Sequence, residues 1–154
     1  MRARRIVTPM ILVVRGAVSL AAGLLCVAPA AAASCSASTV GVDFAGYDPF
    51  HPNPLESVGN IHVSCDVAAG FTISLGPGAG SYAARTMVNG VSEMEYNLYS
   101  DSGRLSVWGD GSGNSGTVSA TAAEADFAVY GRVPARQNLP PCSYSDSIVV
   151  TITY

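Results

Sequence analysis

Apolar and polar positions alternate with a period of two in short runs from residue 39 to the last residue, and turn-forming residues separate the runs. Thr39–Phe44 places Val40, Val42 and Phe44 on one face. Val58–Val67 places Ile61, Val63 and Cys65 inward and Asn60, His62 and Ser64 outward. Phe71–Leu75 follows, closed off by Gly76-Pro77-Gly78-Ala79-Gly80, and Tyr82–Val88 turns at Asn89-Gly90. Met94, Tyr96 and Leu98 share a face in Met94–Tyr99, and Arg104–Trp108 continues after the Asp101-Ser102-Gly103 turn. Thr117–Ala122, Asp126–Val133 and Tyr144–Tyr154 complete the series. Period two is the strand repeat, so the pattern predicts eight or nine strands and no helix after residue 33, the signature of a sandwich or barrel. Between the first two runs, Gly46-Tyr47-Asp48-Pro49 and the prolines up to Pro54 predict an extended loop.

The last run is the most strongly written. Ile148, Val150, Ile152 and Tyr154 point one way, Val149, Thr151 and Thr153 the other, and β-branched or aromatic residues fill almost every position. The sequence stops there, with no further run to cover this strand. A strand so apolar either pairs on both sides or leaves one edge open to a partner.

The first 33 residues follow a different pattern. Arg2, Arg4 and Arg5 precede an apolar stretch from Ile6 to Ala30 that Arg15 interrupts, and Ala31-Ala32-Ala33 supplies small residues for a signal peptidase. This predicts a cleaved export signal over residues 1–33 rather than a membrane anchor, leaving one domain over 34–154. The route is general export, because no twin-arginine pattern follows Arg4-Arg5. Charge then changes the picture. The whole chain has a formal net charge of −3, but four of its eight arginines leave with the signal and all eleven acids stay, so the mature domain carries −7 and no lysine. Without a basic cluster it is not expected to bind nucleic acid or an anionic membrane surface.

Cysteine usage agrees with an oxidising compartment. Cys26 departs with the signal, leaving Cys35, Cys65 and Cys142. Cys35–Cys65 closes the shorter loop and joins two predicted strands, and is the first choice over pairings with Cys142; lipidation of Cys35 is the alternative, although the usual upstream leucine is missing. Catalytic and metal chemistry find little to build on. His51 and His62 have no cysteine or second histidine at ligand spacing, so neither a metal site nor a cofactor is expected. No nucleophile–base motif or phosphate-binding glycine loop is present, and the chain is read as a non-enzyme. Asp110–Gly116 begins like a calcium loop but lacks its glycine and final glutamate, and reads as a turn. Glu93 and Glu95 read as a solvated face.

Several landmarks together carry a resemblance. Cys35, then Val42-Asp43-Phe44-Ala45-Gly46-Tyr47-Asp48-Pro49, then Cys65, followed by Arg85-Thr86-Met87, Tyr96-Asn97-Leu98-Tyr99, Val107-Trp108-Gly109-Asp110-Gly111 and Tyr130-Gly131-Arg132-Val133-Pro134-Ala135, with Tyr144-Ser145-Asp146 and Val149–Tyr154 at the close, resemble the spore coat protein U domain. That domain also builds subunits of archaic chaperone–usher pili. The resemblance implies an all-β, incomplete immunoglobulin-like sandwich lacking its final strand, with Tyr96, Leu98, Tyr99, Trp108, Gly109, Tyr130 and Gly131 as its motif core. It further implies a periplasmic chaperone, an outer-membrane usher and neighbouring pilus subunits as partners, with Ile148, Val150, Ile152 and Tyr154 forming the edge that receives a donated strand.

Two departures stand out. Cys142 occupies a position where the family usually has glycine. Polymerising subunits carry an alternating extension before the first cysteine, whereas only Ser34 precedes Cys35 after cleavage at Ala33. The expectation is therefore a secreted subunit, passing through the periplasm to the cell surface, that accepts a strand and sits at a fibre tip. Alternatives are a coat protein assembled without an usher, or an adhesive module using the Gly76–Gly80 and Gly109–Gly116 loops.

Overall fold

The strand periodicity of the sequence is realised throughout the computed structural model, which describes residues 33–154 together with the backbone strands Ile6–Val7 and Met10–Arg15. Among the described residues every helix or strand element is a strand: β1 (Ile6–Val7), β2 (Met10–Arg15), β3 (Cys35–Val40), β4 (Asp43–Ala45), β5 (Leu55–Leu75), β6 (Arg85–Asn89), β7 (Ser92–Tyr99), β8 (Val118–Val133) and β9 (Ile148–Thr153). Most of the segment expected to leave on export, including Cys26 and the Ala31-Ala32 part of the cleavage tract, lies outside the described residues.

Two long strands form the spine. β5 and β8 pair antiparallel from Leu55↔Val133 to Ile73↔Val118. A bulge interrupts them between Ser64 and Ala69, where β5 uses five residues against two on β8. Such an excess bends a strand and raises its local twist, which lets one ribbon serve both halves of a curled sheet. The other edge of β5 is shared. Its middle carries β3, from Cys35↔Cys65 to Val40↔Asn60, and its last four residues carry β9, from Leu75↔Val150 to Thr72↔Thr153. β7 and then β6 extend the sheet beyond β8, giving the order β2-β9-β5-β8-β7-β6.

Alternation sends one side chain in two inward. Ile61, Val63, Phe71, Ile73 and Leu75 of β5 meet Met94, Tyr96 and Leu98 of β7, Val129 and Val133 of β8 and Ile148, Val150 and Ile152 of β9 in one core. Phe44 of β4 closes it edge-on against Tyr96, with ring centroids 6.0 Å apart. Gly131 leaves room for this: a Cβ there would stand 2.6 Å from both Phe44 Cζ and Val42 Cγ1.

Six of the expected strands are redrawn. The run Thr39–Phe44 is broken at Gly41-Val42, so Val40 is 66% exposed while Val42 and Phe44 are buried. The runs 58–67 and 71–75 are one strand, because the chain bulges over residues 65–68 and Ala69 and Gly70 then pair with β8 where a break is expected. The runs 117–122 and 126–133 likewise merge into β8. Arg104–Trp108 is a loop: Arg104 has φ 56°, and Asp101 Oδ1 accepts hydrogen bonds from the N–H groups of Leu105 (3.1 Å) and Ser106 (2.7 Å).

Cys35 and Cys65 face each other across β3 and β5 and are joined by a disulfide. Ser34 extends the ladder, since its carbonyl accepts from Asp66 N–H (3.0 Å) and its N–H donates to Asp66 Oδ1 (2.9 Å). The bond ties an otherwise free strand end to the spine across a separation of 30 residues. Chain entropy assigns such a loop about 3–4 kcal/mol. Replacing both cysteines by serine in the full chain is expected to lower unfolding free energy by about that amount, read as a lower urea midpoint at unchanged slope.

Candidate strand-acceptor edge

β9 is paired to β5 on one side, and its geometry decides what the other side offers. Within a strand, each residue turns its N–H and C=O to the same side, and successive residues alternate. Gly76 N–H donates to Val149 O (2.8 Å), so Val149, Thr151 and Thr153 turn their backbone groups toward β5. Ile148, Val150 and Ile152 therefore turn theirs the other way, while their side chains are fully buried in the core. Each of Ile148, Val150 and Ile152 thus buries an apolar side chain in the core and turns its backbone donor and acceptor away from β5. Tyr154, half-buried, packs against the core just past the end of β9.

The outward-facing groups are met by β2. Met10–Arg15 runs parallel to β9 in an unbroken register from Met10↔Ile148 to Arg15↔Thr153. Sequence reasoning missed this segment as a strand, because its uniform apolarity and basic flank match an export signal. The available clue was its run of β-branched residues at Ile11, Val13 and Val14.

What holds β9 in place is polar and buried. Asp146 lies two residues ahead of the strand, where Tyr144, Asp146 and Ile148 share the inward register. Its Oδ2 accepts from Tyr96 Oη–H (2.6 Å), and Oδ1 accepts from the N–H groups of Ala79 (3.0 Å) and Ser147 (2.8 Å). Gly78, at φ 69°, passes so close that a Cβ would overlap the Asp146 carboxylate. Ser145 exchanges two backbone hydrogen bonds with Val88 of β6. The entry to β9 is thus pinned to β6, β7 and the Gly76–Gly80 loop at once.

Arg85 does the same for the facing strand end. It is 0% exposed, yet all its contacts are to neutral acceptors: Nη1 donates to Asn97 Oδ1 (2.6 Å), Nη2 to Trp108 O (2.7 Å) and Gly76 O (2.9 Å), and Nε to Gly76 O (3.2 Å). Its guanidinium also lies over the Tyr82 ring, 5.4 Å from the centroid. Burial pulls its pKa down from the ordinary arginine value, and Tyr96, Tyr82 and Asp146 oppose that. Trp108 completes the frame, donating Nε1–H to Ile73 O (3.1 Å) while its N–H reaches Leu98 O (2.9 Å). Arg85 and Asp146 were not singled out as site residues from sequence; the signal that finds them is register, since each shares the inward parity of Met87 and Ile148.

The other expected residues fall into two groups. Tyr96, Leu98, Trp108, Gly109 and Gly131 are buried, whereas Tyr99 and Tyr130 stand paired and half-buried on the outer face, each under an arginine (Arg132 and Arg104). Both arginines also reach Glu56, at 2.9 and 3.0 Å. The loops considered for adhesion are anchored, Gly76–Gly80 by Arg85 and Asp146, and Gly109 through its N–H to Gly116 O (2.8 Å). Cys142 is the free cysteine among the described residues. It lies in the wall of a cleft of about 1000 Å³ with Tyr47, Pro140 and Tyr144.

A sandwich whose last strand leaves one edge to be completed by an added segment is the architecture of a pilin-like subunit. The profile of the Spore Coat Protein U domain matches residues 21–151, and the chain is 34% identical over 170 aligned positions to Protein U of Myxococcus xanthus, covering 90% of this chain and 95% of that protein. The chain belongs to the spore coat protein U family. Its fold, an incomplete immunoglobulin-like sandwich, is shared with the crystal structure of the CsuC–CsuE chaperone–tip adhesion subunit pre-assembly complex from archaic chaperone–usher Csu pili of Acinetobacter baumannii. That match has a TM-score of 0.56 and 17% identity, and covers 79% of this chain and 40% of the matched one.

Two outcomes follow from the buried network. Removing Arg85's donors strands the Gly76 and Trp108 carbonyls and takes one of two donors from Asn97 Oδ1, so Arg85→Met is expected to destabilise the full chain by about 3 kcal/mol in urea unfolding. Burial and the hydrogen bond to Asp146 push the Tyr96 phenol well above the usual tyrosine range. The fold holds the neutral phenol, so this contribution is fully present below the unfolded tyrosine value of about 10 and is lost as pH rises above it. Tyr82 and Tyr144 are also raised, by burial first, and add to the alkaline loss. Thermal unfolding from pH 9 to 11 should show a falling midpoint, and Tyr96→Phe should flatten that fall while lowering stability at neutral pH.

Proposed function

We propose that this protein is a structural subunit of a surface fibre, assembled by strand donation to the β9 edge. In this reading residues 1–33 direct export and are removed. A periplasmic chaperone then holds the domain by lending a strand, an usher receives it, and the fibre carries it on the cell surface. The observation that carries the reading is the β9 edge itself: buried apolar side chains on the floor, outward backbone groups at Ile148, Val150 and Ile152, and a strand-shaped place beside them that a separate segment fills. Backbone pairing supplies affinity in such an arrangement, and the floor selects apolar strands. The fold shared with a structure of a chaperone bound to a tip adhesion subunit supports the same reading and favours a position at the fibre end.

A second reading has its own support. Protein U matches this chain over nearly the full length of both, at twice the identity of the pilus complex. In that reading the domain belongs to a surface coat assembled without an usher.

Production of residues 34–154 in a periplasm, with and without a strand-donating chaperone, tests the proposal. The domain alone is expected to aggregate or be degraded, and with the chaperone to copurify as a one-to-one complex. A lone domain that stays soluble and monomeric and resists unfolding would sink strand donation. Surface display that persists after usher deletion would favour the coat reading.

A further inference from the structure

We infer that the groove's first occupant is the chain's own N-terminal segment: residues 6–15 close the sandwich in cis, and their removal is what opens β9 to a partner. This rests on the proposed reading that residues 1–33 are cleaved and that β9 receives a strand. Ile6 pairs with Ala45 and Val7 with Asp43, antiparallel to β4. Three residues later, Met10–Arg15 takes up its parallel register on β9. One stretch of ten residues therefore joins the β4 edge to the β9 edge, the two borders of the place where the sandwich lacks a strand.

The tether gives this occupant an advantage unrelated to the quality of its contacts. A segment linked to its own groove acts at an effective concentration in the millimolar range, so a free strand at micromolar concentration is outcompeted by roughly a thousandfold at equal intrinsic affinity. Hydrolysis of the Ala33–Ser34 peptide bond, with water supplying the hydroxyl to Ala33 and the proton to the new Ser34 amine, ends that advantage without altering the groove. The uncleaved chain is closed by its own export segment, and the cleaved chain is competent for a donor. Export processing and readiness for assembly thus become one event.

The test uses the whole chain, residues 1–154, with a sequence-specific protease site replacing Ala31-Ala32-Ala33. In the uncleaved chain the alternate amides of Met10–Arg15 that face β9, and those of Ile148, Val150 and Ile152, are expected to exchange hydrogen on the order of 100-fold more slowly than unpaired amides. The double variant Leu12→Pro, Val13→Pro removes whichever of two successive N–H groups faces β9, and should release protection in β9 while β5 and β8 keep theirs. After cleavage, a labelled synthetic peptide of residues 6–15 should bind with at least tenfold higher apparent affinity than before. Residues 10–15 exchanging at the unprotected rate in the unsubstituted uncleaved chain would overturn the inference, whether or not the proline variant folds. Equal peptide binding before and after cleavage would overturn it too and leave strand donation standing. A cleaved chain that takes neither peptide nor chaperone strand would remove both.

Discussion

The outer edge of β9 sets the terms for the rest of the molecule. Ile148, Val150 and Ile152 bury apolar side chains completely while turning their backbone groups away from β5. A row of unpaired N–H and C=O groups beside an apolar groove is costly to bury without a partner and hazardous to expose. The fold resolves this with a strand that does not come from the neighbouring part of the chain.

The holding elements are polar groups in the core, and their placement explains why the groove does not collapse. An apolar core can repack around a missing strand, because its contacts are non-directional. Asp146 and Arg85 resist this. Each is held by directed hydrogen bonds to groups on separate elements, and movement of β9 inward would break the Asp146 bonds to Tyr96 and Ala79 together. Buried networks of this kind are stable only when fully satisfied, and among the described residues no buried side-chain polar atom lacks a partner. The position of β9 is thus fixed by polar geometry in the folded domain as well as by apolar packing.

Much of this was legible in the sequence wherever alternation was undisturbed. The inward sets Ile61-Val63-Cys65, Met94-Tyr96-Leu98 and Ile148-Val150-Ile152 lie where period two puts them, and the Cys35–Cys65 disulfide follows from adjacent strands. Legibility failed where the backbone departs from a regular strand. The break at Gly41-Val42 moves Val40 to the outside, and the bulge after Ser64 carries the strand through residues that read as a turn. Arg85 and Asp146 failed differently: a charged residue in a strand reads as surface unless its register is followed, and register shows the position without showing the partners. Met10–Arg15 was hidden by ambiguity, since one apolar run satisfies both an export signal and a buried strand.

That ambiguity has a physical consequence for recognition. Met10 to Val14 are five consecutive apolar residues, so a slip of one residue replaces one apolar set by another and the apolar pattern by itself does not set the register. Such a strand is held by backbone pairing and bulk, with little to fix its register beyond the tether and the pairing of Ile6 and Val7 with β4. A strand with strict alternation has only one register that buries its apolar face. It gains specificity from the same floor that the uniform segment only fills. Alternation in a strand paired with β9 therefore decides how firmly its register is set against the row of Ile148, Val150 and Ile152.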